Sequence, residues 1–338
     1  MRRARAERLA FRCLVLGIAL AAPARAETAP CASGASVSPC FDADPLWIPT
    51  GPTPFATVPS ARTLAPKKLS FVLAAGYSDR PVELVTPSPH PDGQEIAVVR
   101  ATSTLTLGAR YGLTRGVDLG IALPFVPFQV GSGADSVTTQ QSEPLAAVAL
   151  RDPRLELGAT LFGRDETAPF ALGTRLTVGV PLGSEHAVAG AATFTVAPGL
   201  TGALHFGRLE LGADLGWRIT RAVSFASVRE GSAFTAALAT SITLLEKPAL
   251  ALGAEAWLSA HVAGRPAGVS EDVVDLPAEW LATLRAAPSD AWCLLAAGGS
   301  GIPLSRVLDS NGGTSAALGV TSPDFRLLLL ARYTLEVE

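Results

Sequence analysis

The residues with the clearest potential for chemistry lie on one short segment near residue 260. Ser259 and His261 are two residues apart, and Glu255 precedes them at the same odd-numbered parity. A serine, a histidine and a carboxylate can together supply a nucleophile, a general base and an orienting group. Alternate residues of a strand share one face, so a strand would hold the three side chains on that face. A polar face without catalysis accounts for the same residues, and we expect no enzymatic activity. A lipid-modifying enzyme is the least favoured hypothesis.

The elements that position these residues follow from a two-residue period. Segment 209–220 has Leu, Ala, Trp or Ile at every odd position and Gly, Thr or a charged residue at every even one. Alternation of this kind predicts a strand with one apolar and one polar face. The same pattern predicts strands at 98–111, 117–125, 154–162, 170–180, 193–204, 234–244 and 325–333 and, more weakly, at 69–77, 250–262, 278–287 and 291–302. Residues 277–287 could also form a helix by propensity, but the neighbouring strands and short connections favour a strand.

The connections between these segments alternate in length. Short turns are predicted near 112–116 and 205–208, for example, whereas longer loops occupy 130–152 and 303–322. Alternating short turns and long loops are typical of outer-membrane barrels, and strands of this length suit a tilted crossing of a bilayer. The sequence therefore predicts an all-β fold, a transmembrane antiparallel up-and-down β-barrel of about 12 strands over residues 67–338.

If the apolar face meets lipid, the polar face lines a lumen. The predicted lumen-lining residues are Arg100, Arg110, Asp118, Arg154, Glu156, Arg175, Glu210, Asp214, Arg218, Glu255, His261, Glu279, Arg285, Arg326 and Arg332. Both signs of charge are present in near balance, which leaves two interpretations open. The charges ring a narrow aqueous path in a passive channel or transporter for small solutes, which we favour, or they pair and fill the lumen of a structural barrel.

The N-terminal part differs from the rest. Residues 1–26 combine several arginines, a short apolar stretch and Ala24-Arg25-Ala26, which predicts a cleaved signal peptide and export to the cell outer membrane. Residues 27–66 contain eight prolines and little periodicity, and we expect an irregular segment that is either a tail or a plug. Cys31 and Cys40 lie in this segment, where an oxidising compartment would allow a disulfide between them.

Composition limits the partners. The formal net charge of −3 provides no basic surface for nucleic acid. The histidines lack the spacing of metal ligands, and we expect neither a metal nor a cofactor. The expected partners are outer-membrane lipid, the barrel-assembly machinery and small solutes.

A resemblance to a known family covers most of residues 41–333. It is carried by the runs YGLTRGVDLGIALPF, RDPRLELGATL, TRLTVGVPLGS and FGRLELGADLGWRI. These runs resemble a family of proteobacterial outer-membrane β-barrels, namely the barrel part of outer membrane protein A-type proteins and the barrels of phenol-degradation-type transporters. The resemblance implies an outer-membrane barrel, sometimes a transporter, and brings no catalytic residues.

Overall fold

The computed structural model describes residues 38–86, 94–133, 145–165, 167–191, 193–225, 228–246, 249–262, 272–274, 276–302, 304, 306–308, 318–320 and 322–337. The predicted signal peptide, and with it residues 1–37, lies outside this described part.

Twelve long antiparallel strands form a closed barrel, which confirms the predicted fold class and strand number. They are β1 Lys68–Thr86, β2 Gln94–Thr114, β3 Val117–Val130, β4 Arg154–Phe162, β5 Phe170–Gly179, β6 Thr195–Phe206, β7 Leu209–Arg218, β8 Ala233–Glu246, β9 Ala249–His261, β10 Ala278–Ser289, β11 Trp292–Gly301 and β12 Phe325–Glu336. Residues 277–287, ambiguous by propensity, lie mostly in β10 and form a strand.

Each strand pairs with its neighbours in sequence, and β1 closes the barrel against β12. The closing register runs from Lys68 opposite Glu336 to Asp79 opposite Phe325. The short connections, such as residues 207–208 between β6 and β7, lie at one end, which we call the turn end; the opposite end is the loop end. Gly207 takes a φ of 59°, a conformation that a two-residue hairpin turn commonly requires.

The hairpin of β1 and β2 is longer than predicted. Our sequence interpretation ended β1 at 77 and began β2 at 98, whereas the strands extend to Thr86 and from Gln94. The added length buries Leu84 and Val98 in a cluster with Phe41 and Phe225 at the loop end. This apolar cluster explains why β1 and β2 continue to pair beyond the barrel wall.

Smaller elements lie at the loop end. They are the strands Ala149–Leu150, Val223–Phe225, Val228–Glu230, Asp272–Val274, Arg306–Leu308 and Leu318–Val320 and the 3₁₀ helix Glu185–Ala187. Within the described ranges, no helix has the length and hydropathy needed to cross a membrane.

The outward face of the barrel carries large apolar side chains that no protein atoms cover. Leu329 of β12 is 63% exposed and Leu238 of β8 is 65% exposed, whereas the adjacent Leu328 and Leu330 are buried inside. A soluble protein rarely exposes a continuous apolar belt of this kind, so the belt fits contact with hydrocarbon.

A charge placed on this belt is expected to destabilise the barrel according to its depth. Leu329→Arg, in the middle of β12, should lower the free energy of unfolding by about 2–4 kcal/mol, and Leu244→Arg, near the turn end of β8, by about 0–1 kcal/mol. Urea unfolding of the barrel in lipid vesicles measures both. Equal losses at the two positions would contradict a membrane-embedded belt.

Candidate functional site

The lumen contains a segment of the same chain, residues 38–66, which we call the strap. It begins at the loop end, where the N–H of Ser38 donates to the carbonyl of Ser224 at 2.8 Å. It ends at the turn end, where Arg62 donates to the carbonyls of Gly163 and Ala168 at 2.9 and 2.6 Å. The strap therefore crosses the barrel once, from one end to the other.

Apolar packing holds the middle of the strap. Leu46, Ile48, Phe55 and Val58 are buried in one core cluster. The wall side of this cluster consists of inward-facing residues of β1 and β8–β12, namely Ala74, Ala237, Ala239, Trp257, Leu281, Leu295, Ala297, Leu328 and Leu330. Burial of a large apolar side chain contributes roughly 1.5–3 kcal/mol to stability. The packing of these four side chains is therefore a substantial part of the interaction between the strap and the wall.

Two glycines of the wall allow the strap to come close. A Cβ atom at Gly112 would collide with the carbonyl of Ala65, and one at Gly173 would collide with the carbonyl of Ala61. Any larger residue would push the strap away from β2 or β5, since backbone atoms occupy the space.

A first polar cluster lies around Arg110 of β2. Its guanidinium binds Asp118 at 2.8 Å, pairs closely with Glu156 and donates to Thr50 of the strap at 3.1 Å. Thr50 in turn donates to Glu156 at 2.7 Å, and the strap N–H of Leu64 donates to Asp118 at 2.9 Å. The strap thus completes an ion-pair network that belongs to β2, β3 and β4.

A second polar cluster lies near the loop end around Arg326 of β12. Arg326 donates to both oxygens of Glu279, at 2.5 and 2.9 Å, and to both oxygens of Asp44 in the strap, at 2.9 and 3.2 Å. Arg151 binds Asp44 at 3.3 Å and Asp42 at 2.7 Å. Asp44 is therefore shared between two buried arginines, and Asp42 binds one of them.

Trp47 of the strap contacts two further arginines of the wall. The guanidinium carbons of Arg154 and Arg218 are 4.9 and 4.0 Å from its ring centroids. Arg218 also donates to the carbonyl of Pro45 at 2.9 Å. The aromatic ring stabilises two buried cations by cation–π attraction.

Glu255 and Arg332 bind the strap backbone from two sides. The carboxylate of Glu255 accepts the N–H groups of residues 56 and 57, each at 2.7 Å, and the hydroxyl of Thr57 at 2.7 Å. Arg332 donates to the carbonyls of Thr53 and Phe55 at 3.0 and 2.9 Å. The wall thus satisfies polar backbone groups of an irregular segment that no strand pairs.

The other predicted lumen residues pair within the wall or remain exposed. Arg175 binds Asp214, with one contact at 2.8 Å, and Arg285 binds Glu210 at 2.9 Å. Arg100, in contrast, has an exposed side chain near the loop end of β2.

The geometry around His261 differs from a catalytic triad. His261 Nδ1 lies 2.9 Å from Glu230 Oε2, an acidic partner that the sequence interpretation did not consider. Ser259 Oγ is buried without a hydrogen-bond partner, and Glu255 binds the strap. The carboxylate that we considered as an orienting group is thus engaged elsewhere.

Asp152, in the connection between β3 and β4, binds the connection between β5 and β6 at the loop end. Its carboxylate accepts the N–H groups of Gly183 and Ala191, each at 2.8 Å. Burial raises the pKa of Asp152 to about 6, against the lowering effect of these two hydrogen bonds.

The cysteines are only partly described. Cys40 is disulfide-bonded, and Cys31 lies outside the described residues, so their pairing stays a prediction. Cys293 of β11 is a free thiol.

The residues that sequence analysis missed lie mainly on the strap. Asp42, Asp44, Trp47 and Thr50 bind the predicted wall residues, and Arg151 joins them from a loop. The signal available was an apolar and aromatic composition, WIPTGPTPFATV, in a segment without a period. Such a segment needs a partner surface, and the lumen supplies it.

Comparison with known proteins supports the fold. No protein-family model matches the chain, and no curated protein matches it. An outer membrane channel from Pseudomonas putida F1 has a similar structure, with a TM-score of 0.55 and 14% identity over 81% of this chain and 97% of that chain. The KdgM porin, in complex with disordered oligogalacturonate, gives 0.42 and 9% over 80% and 99% of the two chains. A FadL homologue from Pseudomonas aeruginosa gives 0.37 and 12% over 80% and 91%. The similarity to the Pseudomonas putida channel and the closed barrel of twelve strands together give this chain the fold of outer-membrane β-barrels.

Proposed function

We propose that this protein is a channel for small solutes in the outer membrane and that the strap closes it. The observation that carries the proposal is the course of the strap, which crosses the lumen from the loop end to the turn end. A cleaved signal peptide would export the chain, the barrel-assembly machinery would insert it, and lipid would cover the apolar belt. The proposal includes no enzymatic step.

The polar side chains of the wall favour a lumen that fills with water when the strap leaves it. Asp118, Glu156, Glu255 and Arg332 bind strap atoms, and charged groups of this kind would otherwise need water. A twelve-stranded barrel has an interior between those of filled eight-stranded barrels and open sixteen-stranded porins. Removal of the strap would thus leave a hydrated passage of intermediate width.

A structural barrel with a permanently filled lumen is the second candidate. The observation that favours it is the burial of the Arg326–Glu279–Asp44 group, in which the three side chains are at most 6% exposed. Displacement of the strap would separate these charges, which makes opening costly.

A reversible covalent lock distinguishes the two candidates. A Cβ atom at Gly120 would lie 2.6 Å from Thr50 Oγ1, so cysteines at these positions can meet. We expect the variant Thr50→Cys/Gly120→Cys, in a Cys293→Ser background, to conduct ions in planar bilayers when reduced and to lose its openings when oxidised.

Thr50→Cys in the same background is the matched control, because it cannot form the lock and should respond little to the redox change. A folded barrel that stays silent in both redox states would contradict the channel and favour the structural barrel. Openings that persist in the oxidised double variant would show that the strap does not close the path.

A further inference from the structure

The strap leaves one part of the lumen open at the turn end. A cavity of about 760 Å³ lies there, between strap residues 52–54 and the turn ends of β8–β12. Small-molecule sites commonly have volumes of about 300–1,000 Å³. The cavity is therefore large enough for a small organic molecule.

Arg332, at the inner side of this cavity, has an incomplete set of partners. Its side chain is 1% exposed, and its two terminal nitrogens donate to strap carbonyls. Its Nε is buried with no hydrogen-bond partner. Among the residues described, Arg332 makes no salt bridge, whereas Arg110 and Arg326 bind carboxylates directly. The thiol of Cys293, opposite Arg332 in the register, and the carboxylate of Glu255 are its nearest acidic groups. The hydrogen bonds of Glu255 go to the strap. A buried, unsatisfied donor on a cation favours an anionic acceptor.

The charged residues of the cavity are separated by depth: its two arginines lie on the inner side, and its carboxylates lie at the exposed rim. Arg285 binds Glu210 at 2.9 Å. Glu246 and Asp290 lie at the exposed rim, and Glu246 faces Arg208 at 3.4 Å. The remaining lining includes Pro52, Pro54, Ala249, Ala287 and Pro288, which offer apolar surface.

We propose that this cavity binds a small monocarboxylate with a short apolar tail. The carboxylate accepts a hydrogen bond from Arg332, and the tail packs on the prolines and alanines. The site lies directly beneath the strap residues that Arg332 holds, and its existence does not depend on channel activity.

Cys293 provides a direct probe. It lines the cavity and lies opposite Arg332 in the β11–β12 register. Methanethiosulfonate reagents convert a thiolate to a mixed disulfide and release methanesulfinate, so they report on access and local charge. We compare a sulfonatoethyl with a trimethylammonioethyl reagent on the full-length barrel in detergent, normalising each rate to that with free cysteine. The anionic reagent is expected to be favoured by about tenfold or more, and butyrate, but not butylamine, should slow the reaction.

Two variants separate binding from folding. Arg332→Gln should abolish the preference for the anionic reagent and the protection by butyrate. Arg285→Gln, which keeps the Arg332 contacts to the strap, should weaken the preference while butyrate still protects, and Arg208→Gln is the control at the exposed rim. Heat-modifiable migration on gels confirms that each barrel is folded. Equal normalised rates, no protection by butyrate, or no reaction of Cys293 with either reagent would overturn the site, whatever the bilayer recordings give.

Discussion

Replacement of Arg326 by leucine is expected to lower the free energy of unfolding by about 3–5 kcal/mol. Arg326 is the shared partner of Glu279, which is fully buried, and of Asp44 in the strap. Its removal leaves Glu279 without a cation and Asp44 with Arg151 alone. Because a buried carboxylate without a partner is costly, the loss should far exceed that of an exposed pair. Urea unfolding in lipid vesicles, with an unchanged m value, measures it.

The exposed pair of Arg208 and Glu246 provides the matched control. Its side chains are 64% and 71% exposed and 3.4 Å apart, so Arg208→Leu should change stability by no more than about 0.5 kcal/mol. The double variant Arg326→Leu/Glu279→Leu should recover part of the loss, because it also removes the buried carboxylate that Arg326→Leu leaves without a cation. A loss for Arg326→Leu as small as that of the control would contradict the buried network.

Deletion of residues 41–64 is expected to produce a constitutively conducting barrel. The deletion removes the strap atoms that bind Glu255, Arg332 and the Arg110 cluster, and water then solvates these groups. We expect single-channel conductance at least ~10-fold above that of the intact protein. Planar-bilayer recording measures it, and heat-modifiable migration shows that the shortened chain still folds.

Milder variants test the same closure without removing the strap. Asp42→Asn/Asp44→Asn takes away both strap carboxylates at the loop end and should raise the frequency of openings. Ser60→Ala is the control, since Ser60 is exposed and, among the residues that the structure describes, its hydroxyl bonds only to the N–H of Arg62 in the strap itself. A folded deletion variant whose conductance equals that of the intact chain would refute closure by the strap.

The strands were predictable because their period is local. In β7, Leu209–Arg218, side chains alternate between lipid and lumen, and this alternation is fully visible in ten residues of sequence. The ambiguity at β10 was settled by its neighbours on the wall. The extension of β1 to Thr86 was not predictable, because it depends on long-range packing against Phe41 and Phe225.

The filling of the lumen was only partly predictable. Periodicity placed Arg326 and Arg332 on the inward face of β12, and both are buried there. It could not show that Leu328 and Leu330, on the same face, pack against Phe55 and Val58. An inward leucine is a signal that the interior is not simply water, but its partner is more than 250 residues away in sequence. The partners of Arg151 and Trp47 depend on the same long-range contact.

The path of residues 38–66 constrains how the molecule can be assembled. This segment is joined directly to β1, and β1 seals the ring by pairing with β12, the barrel strand most distant from it in sequence. If the ring sealed first, residues 38–66 would have to enter an interior that already contains leucines and ion pairs. Sealing around a segment already laid against β1 avoids that passage. Closure of the barrel and enclosure of residues 38–66 are then a single step, which is complete only when β12 pairs with β1.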